Sequence, residues 1–136
     1  MMARILLVDD TPKVRESIRD ALESAGFEVD EAPDGKVAID LLNERSYSLV
    51  ITDLWMPEVD GLDLMKHLRK INSNMPVIAI TGGAIGLAPP NFSVALADSW
   101  GADAVLDKPF DNDDLVDIAK DLIAKYVTSR KVVLAA

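Results

Sequence analysis

Two neighbouring aspartates, Asp9 and Asp10, close the apolar run 4–8, and a third, Asp53, closes the apolar run 47–52. Lys108 stands in D-K-P-F just after a third run, 102–106, and Thr81 ends a fourth, 76–81. Carboxylates, an ammonium and a hydroxyl at the ends of strand-like segments suit phosphoryl chemistry. A carboxylate oxygen can attack a phosphoryl group and form an aspartyl phosphate. Such transfer needs positioning and charge neutralisation more than a strong base. Two carboxylates about 4 Å apart repel by about 4 kcal/mol at an effective dielectric near 20, and one lysine does not neutralise three of them. The set asks for a divalent cation, and oxygen donors without a histidine cluster favour magnesium over zinc. Each residue also has a plainer reading, as a loop acid, a turn threonine or a solvated lysine. Their shared position is what outweighs it.

That position follows from the elements. Residues 3–8 form a continuous apolar run apart from Arg4, as in a strand buried on both faces. Thr11 and Pro12 make a helix start, followed at helical spacing by Val14, Ile18, Ala21, Leu22 and Ala25, with Gly26 as the stop. A second, more alternating strand spans 27–32, and Asp34-Gly35 opens a helix carrying Val37, Ala38, Leu41 and Leu42. The third strand is 47–52. Gly61 leads a third helix with Leu62, Met65 and Leu68, fading near Lys70. The fourth strand is 76–81, a shorter fourth helix spans 90–100, and the fifth strand is 102–106. Asp111 and Asp114 resemble a cap ahead of the stripe Leu115, Ile118, Ala119, Leu122, Ile123 and Tyr126. Five strands alternating with five helices predict an α/β fold, a parallel sheet wound on both faces through right-handed crossovers. In such a sheet the C-terminal strand ends share one edge, where ligands bind.

The 136 residues suffice for one domain with a core and are short for two. Apolar content of 49% with 27% charged residues argues against disorder. A net charge of −9 argues against nucleic acid and anionic membranes as partners. The chain has no cysteine, which removes disulfides, thiolate zinc sites and cysteine nucleophiles and favours a reducing compartment. Neither a signal segment nor a long apolar span is visible, so a cytoplasmic location is expected.

V-D-D at 8–10, D-L-W-M-P-E-V-D-G at 53–61, I-T-G at 80–82 and D-K-P-F at 107–110, in that order and spacing, resemble the receiver domain of bacterial two-component response regulators, most like a single-domain, chemotaxis-regulator-like member. The resemblance covers about residues 3–126, giving a receiver domain at 1–127 and a short tail at 128–136. It implies a flavodoxin-like, doubly wound five-stranded sheet of order 2-1-3-4-5. It also implies Asp53 as phosphoacceptor, with magnesium held by Asp10, Asp53 and the Trp55 backbone carbonyl, and by Asp9 mainly through water. Thr81 would be the switch hydroxyl and Lys108 the phosphoryl contact, with the Lys108–Pro109 peptide cis. The donor would be a phosphohistidine on a histidine kinase or histidine phosphotransfer protein. The chain would be a regulatory phosphoacceptor, not an enzyme acting on other substrates. With no output domain following, it would signal to a downstream protein in trans or relay phosphoryl groups onward.

Three departures stand out. Val105 occupies the place, three residues before the lysine, where receivers commonly carry an aromatic coupled to the threonine, so a different readout is expected. The loop after Thr81 is about five residues longer than usual for the family, consistent with a functional loop or a tolerated insertion. Trp55, two places after Asp53, could shield an acyl phosphate from water. No charged residue falls between Lys70 and Asp98; an apolar surface there would suit partner binding or a homodimer through the fourth-helix region, and core burial explains it equally well. His67, the lone histidine, is expected at the surface. Two alternatives stay open: a phosphorylation-independent binding module with the same fold, and a small phosphohydrolase of the haloacid-dehalogenase type. The second would want an acid where Trp55 stands, and also a cap domain.

Overall fold

The sheet is built around strands that never meet water. In β1 (Arg4–Val8) every residue from Ile5 onward is buried, and β3 (Leu49–Asp53) and β4 (Val77–Thr81) are buried throughout. The structure, a computed structural model, describes residues 3–54, 61–71, 74–81 and 101–135, with backbone alone at 62 and 126–135. The remaining strands are β2 (Glu28–Ala32) and β5 (Ala104–Asp107). The helices are α1 (Pro12–Ser24), α2 (Gly35–Glu44), α3 (Gly61–Ile71) and α4 (Asn112–Ala135). All pairings are parallel and the order is β2-β1-β3-β4-β5, the expected flavodoxin-like winding.

Four helices stand among the described residues, one fewer than the five expected. The helix expected at 90–100 falls outside the described residues. α4 continues through Ala135, across most of the segment expected as a tail. β2, carrying Glu28, Asp30 and Glu31, is the half-exposed edge that its alternation predicts.

Strand parity sorts the core into two layers. Leu6, Val8, Val50, Val77 and Ala79 pack with Ala38 of α2 and Leu64, Met65 and Leu68 of α3. Ile5, Leu7, Leu49, Ile51, Ile78 and Ile80 pack with Ile18 and Leu22 of α1 and Leu115 and Ala119 of α4. His67 departs from expectation. It flanks the packed stripe of α3, is half-buried, and its Nε2 is buried without a hydrogen-bond partner.

Two boundaries shift for local reasons. Tyr47 precedes β3 and donates its hydroxyl hydrogen bond to Asp30 Oδ2 across the sheet edge (2.8 Å). β5 starts later than expected, because Gly101 takes a positive φ of 84° and Asp103 Oδ2 accepts the Val77 amide (2.9 Å). At its other end β5 includes Asp107, which pairs with Thr81 of β4.

Candidate functional site

Register delivers the acids. Val8 pairs with Thr52, so the next residues, Asp9 and Asp53, leave adjacent strands at one level. By parity both belong to the layer covered by α1 and α4. Lys108 follows Leu106 in the same phase and reaches them from the far side of β4.

The Lys108 ammonium lies 3.0 Å from Asp53 Oδ2 and 3.5 Å from Asp9 Oδ2. Carboxylate oxygens of Asp9, Asp10 and Asp53 all fall within 4.8 Å of one another. Asp9 and Asp53 are buried, whereas Asp10 is exposed and the Lys108 side chain keeps 26% of its surface. The cluster thus meets solvent on the side of Asp10 and Lys108. Burial pulls the lysine pKa down, but the hydrogen bond to Asp53 and the charges of Asp53 and Asp9 outweigh it, and the net direction is above the usual value. The ammonium stays charged at neutral pH.

One cation against three carboxylates leaves the cluster negative, and a second observation agrees. Asp9 Oδ1 accepts the Thr11 amide (2.8 Å), whereas Asp9 Oδ2 is buried and makes no hydrogen bond, with the Lys108 ammonium standing off at 3.5 Å. A buried carboxylate oxygen left so is costly. A hard divalent cation among these oxygens satisfies it, so the residues present fit such an ion. The helix start is as expected, with Thr11 at the cap position of α1 and Pro12 in its first turn, although Thr11 makes no side-chain cap bond.

Thr81 is placed differently. It shares strand parity with Val77 and Ala79, the opposite layer from Asp53, and its hydroxyl donates to the Asp107 carboxylate. Trp55, whose carbonyl was a candidate ligand, lies outside the described residues. The Lys108–Pro109 peptide is cis, as expected. A groove of about 580 Å³ lies beside Lys108, walled by Val14 and Ile18 of α1 and by Pro109 and Phe110.

Gly61 was legible only as a helix start. A Cβ there would stand 2.2 Å from the Asp53 carbonyl oxygen and 2.6 Å from Leu54 Cα. The start of α3 rests directly on the backbone of the β3 end, closed by the Gly61 amide donating to the Leu54 carbonyl (3.2 Å). The D-G pair at 60–61 could have signalled that close approach. Asp107 had no comparable signal.

A family model described as the response regulator receiver domain matches residues 5–120. The chain belongs to the response regulator receiver family. CpdR of Brucella abortus, a response regulator receiver protein, is 38% identical over 125 residues, covering 90% of this chain and 99% of that protein. Response regulator Rre1 of Synechocystis is 39% identical over 129 residues, 92% of this chain and 53% of its own length. The chain spans about half the length of several curated relatives that it matches. Among solved structures, a CheY-like receiver domain from Methanospirillum hungatei superposes with a TM-score of 0.85 at 27% identity, covering 95% of this chain and 99% of that one. A Francisella response regulator receiver domain gives 0.80 at 32% identity, covering 90% and 98%. Receivers are regulatory phosphoacceptors of two-component systems, supplied by histidine kinases, and this receiver has the grouped acids through which the family binds magnesium. Among its described residues no helix is long and apolar enough to cross a membrane.

Proposed function

We propose that this receiver is a phosphorylation-controlled switch that takes a phosphoryl group from a phosphohistidine onto Asp53. The observation that carries the reading is the Asp53 carboxylate held against Lys108 beside Asp9 and Asp10. In transfer, an Asp53 oxygen forms the new P–O bond as the P–N bond to the donor imidazole breaks. The electron pair leaves on the imidazole nitrogen, which then takes a proton from water. Lys108 pairs with a phosphoryl oxygen, exchanging one anionic partner for another. The switch is reset by hydrolysis: water attacks phosphorus and loses a proton to solvent as the P–O bond to Asp53 breaks, leaving the Asp53 carboxylate and free phosphate. Asp10, Asp53 and the Trp55 carbonyl would hold magnesium, with Asp9 acting mainly through water, and the ion would supply charge neutralisation for the phosphoryl oxygens.

The donor is a histidine kinase or histidine phosphotransfer protein. The apolar groove between α1 and Pro109–Phe110, ending on Lys108, suits a helix of that partner. Thr81 is the hydroxyl that answers phosphorylation, and a downstream protein reads the change. Residues 1–127 form the receiver, with 128–136 an appended segment, and the setting is the cytoplasm.

Incubation with acetyl phosphate and magnesium, followed by intact-mass measurement, tests the reading. Wild type gains one phosphoryl group and Asp53→Asn gains none. Equal labelling of both proteins, or of neither, would remove it.

A further inference from the structure

The Thr81 hydroxyl carries a single proton and can donate one hydrogen bond at a time. In this structure that bond goes to the Asp107 carboxylate. The pairing is built into the sheet: Thr81 and Asp107 are register partners on adjacent parallel strands, and the Lys108 amide donates to the Thr81 carbonyl (3.0 Å). Two register pairs earlier, on the same face, Ala79 lies opposite Val105, so the strand position that would carry an aromatic has no polar side-chain atom to offer. Asp107 supplies the acceptor on that face. Asp107 is exposed, while the hydroxyl it holds belongs to a buried residue.

We propose that Asp107 is a positioning residue that holds the Thr81 hydroxyl in the unphosphorylated arrangement and competes with the phosphoryl group for it. The proposal rests on Asp53 being the phosphoacceptor. A phosphoryl oxygen on Asp53 and the Asp107 carboxylate cannot both receive the one Thr81 proton. Any hydrogen-bond energy that Asp107 contributes to the resting arrangement opposes the phosphorylated one by the same amount. The backbone bond from Lys108 to Thr81 ties this choice to the lysine that contacts Asp53. Asp107 thereby sets how readily the switch is thrown, in place of an aromatic at Val105.

The test is the affinity for beryllofluoride, a phosphoryl mimic, with magnesium present, followed by tryptophan fluorescence in wild type, Asp107→Ala, Thr81→Val and the double variant. Loss of one net hydrogen bond of ordinary strength predicts about fivefold tighter binding in Asp107→Ala. The same substitution in the Thr81→Val background leaves affinity unchanged, because no hydroxyl remains to release. Asp107→Asn, which keeps the shape and an acceptor oxygen, gives a smaller tightening and covers the case in which the alanine variant folds poorly. Equal tightening with and without the Thr81 hydroxyl, or none in either, overturns the proposal and leaves the phosphoacceptor reading standing. Wild type that binds no beryllofluoride overturns both.

Discussion

Lys108 Nζ lies 3.0 Å from Asp53 Oδ2, although 55 positions separate the two residues in the chain. The contact exists because β3 and β5 flank β4 in one parallel sheet and end at the same edge. It sets a half-buried ammonium against a buried carboxylate, so its loss has consequences that depend on pH.

The Lys108 pKa is moved upward on folding, so its contribution to stability is fully present below the ordinary lysine value. It is lost as pH rises through the higher folded value. In magnesium-free urea unfolding, wild type is expected to exceed Lys108→Met by about 1–2 kcal/mol near neutral pH, allowing for the partial exposure of the side chain. That difference shrinks once pH climbs beyond about 10.5. A gap that stays constant or widens in strong alkali contradicts the assignment.

Magnesium is expected to stabilise the fold by about 2.7 kcal/mol at a hundredfold excess over its dissociation constant. Asp10→Asn removes an exposed member of the acid group. Without the metal its stability should stay within about 0.5 kcal/mol of wild type, while most of the metal-induced gain disappears. Thermal unfolding with and without magnesium measures both. An undiminished gain in Asp10→Asn would exclude that carboxylate from the site.

Gly61→Ala places a methyl group against the Asp53 carbonyl, where the rigid β3 backbone cannot yield cheaply. The expected cost is about 1–3 kcal/mol in urea unfolding. Labelling by acetyl phosphate should slow as well, at temperatures where the variant remains folded, because the end of β3 must shift. Wild-type stability together with wild-type labelling would show that the contact carries no strain.

Much of this was readable in the chain. Apolar runs ending in Asp9, Asp53 and Thr81 marked buried strands, alternation with helices made the sheet parallel, and the strand order came from the resemblance to receivers. Asp9, Asp10, Asp53 and Lys108 could be assigned to one edge because each sits at a strand terminus, a property local to the sequence. The pairing of Thr81 with Asp107 was not readable. It depends on register between β4 and β5, and on β5 extending one residue past Leu106 after its late start at Ala104. His67 was misplaced because a lone polar residue beside the helical stripe Leu64, Met65 and Leu68 carries no mark of how far neighbouring elements cover it. The helix start at Thr11 and Pro12 was readable because its signals are local.

The central claim is that the phosphoryl group sits on Asp53. Phosphorylated protein treated with borohydride, which reduces an acyl phosphate to the alcohol with loss of phosphate, should yield a peptide bearing homoserine at position 53. Homoserine at position 9 or 10 instead, or phosphate retained on a histidine or hydroxyl side chain, would contradict it.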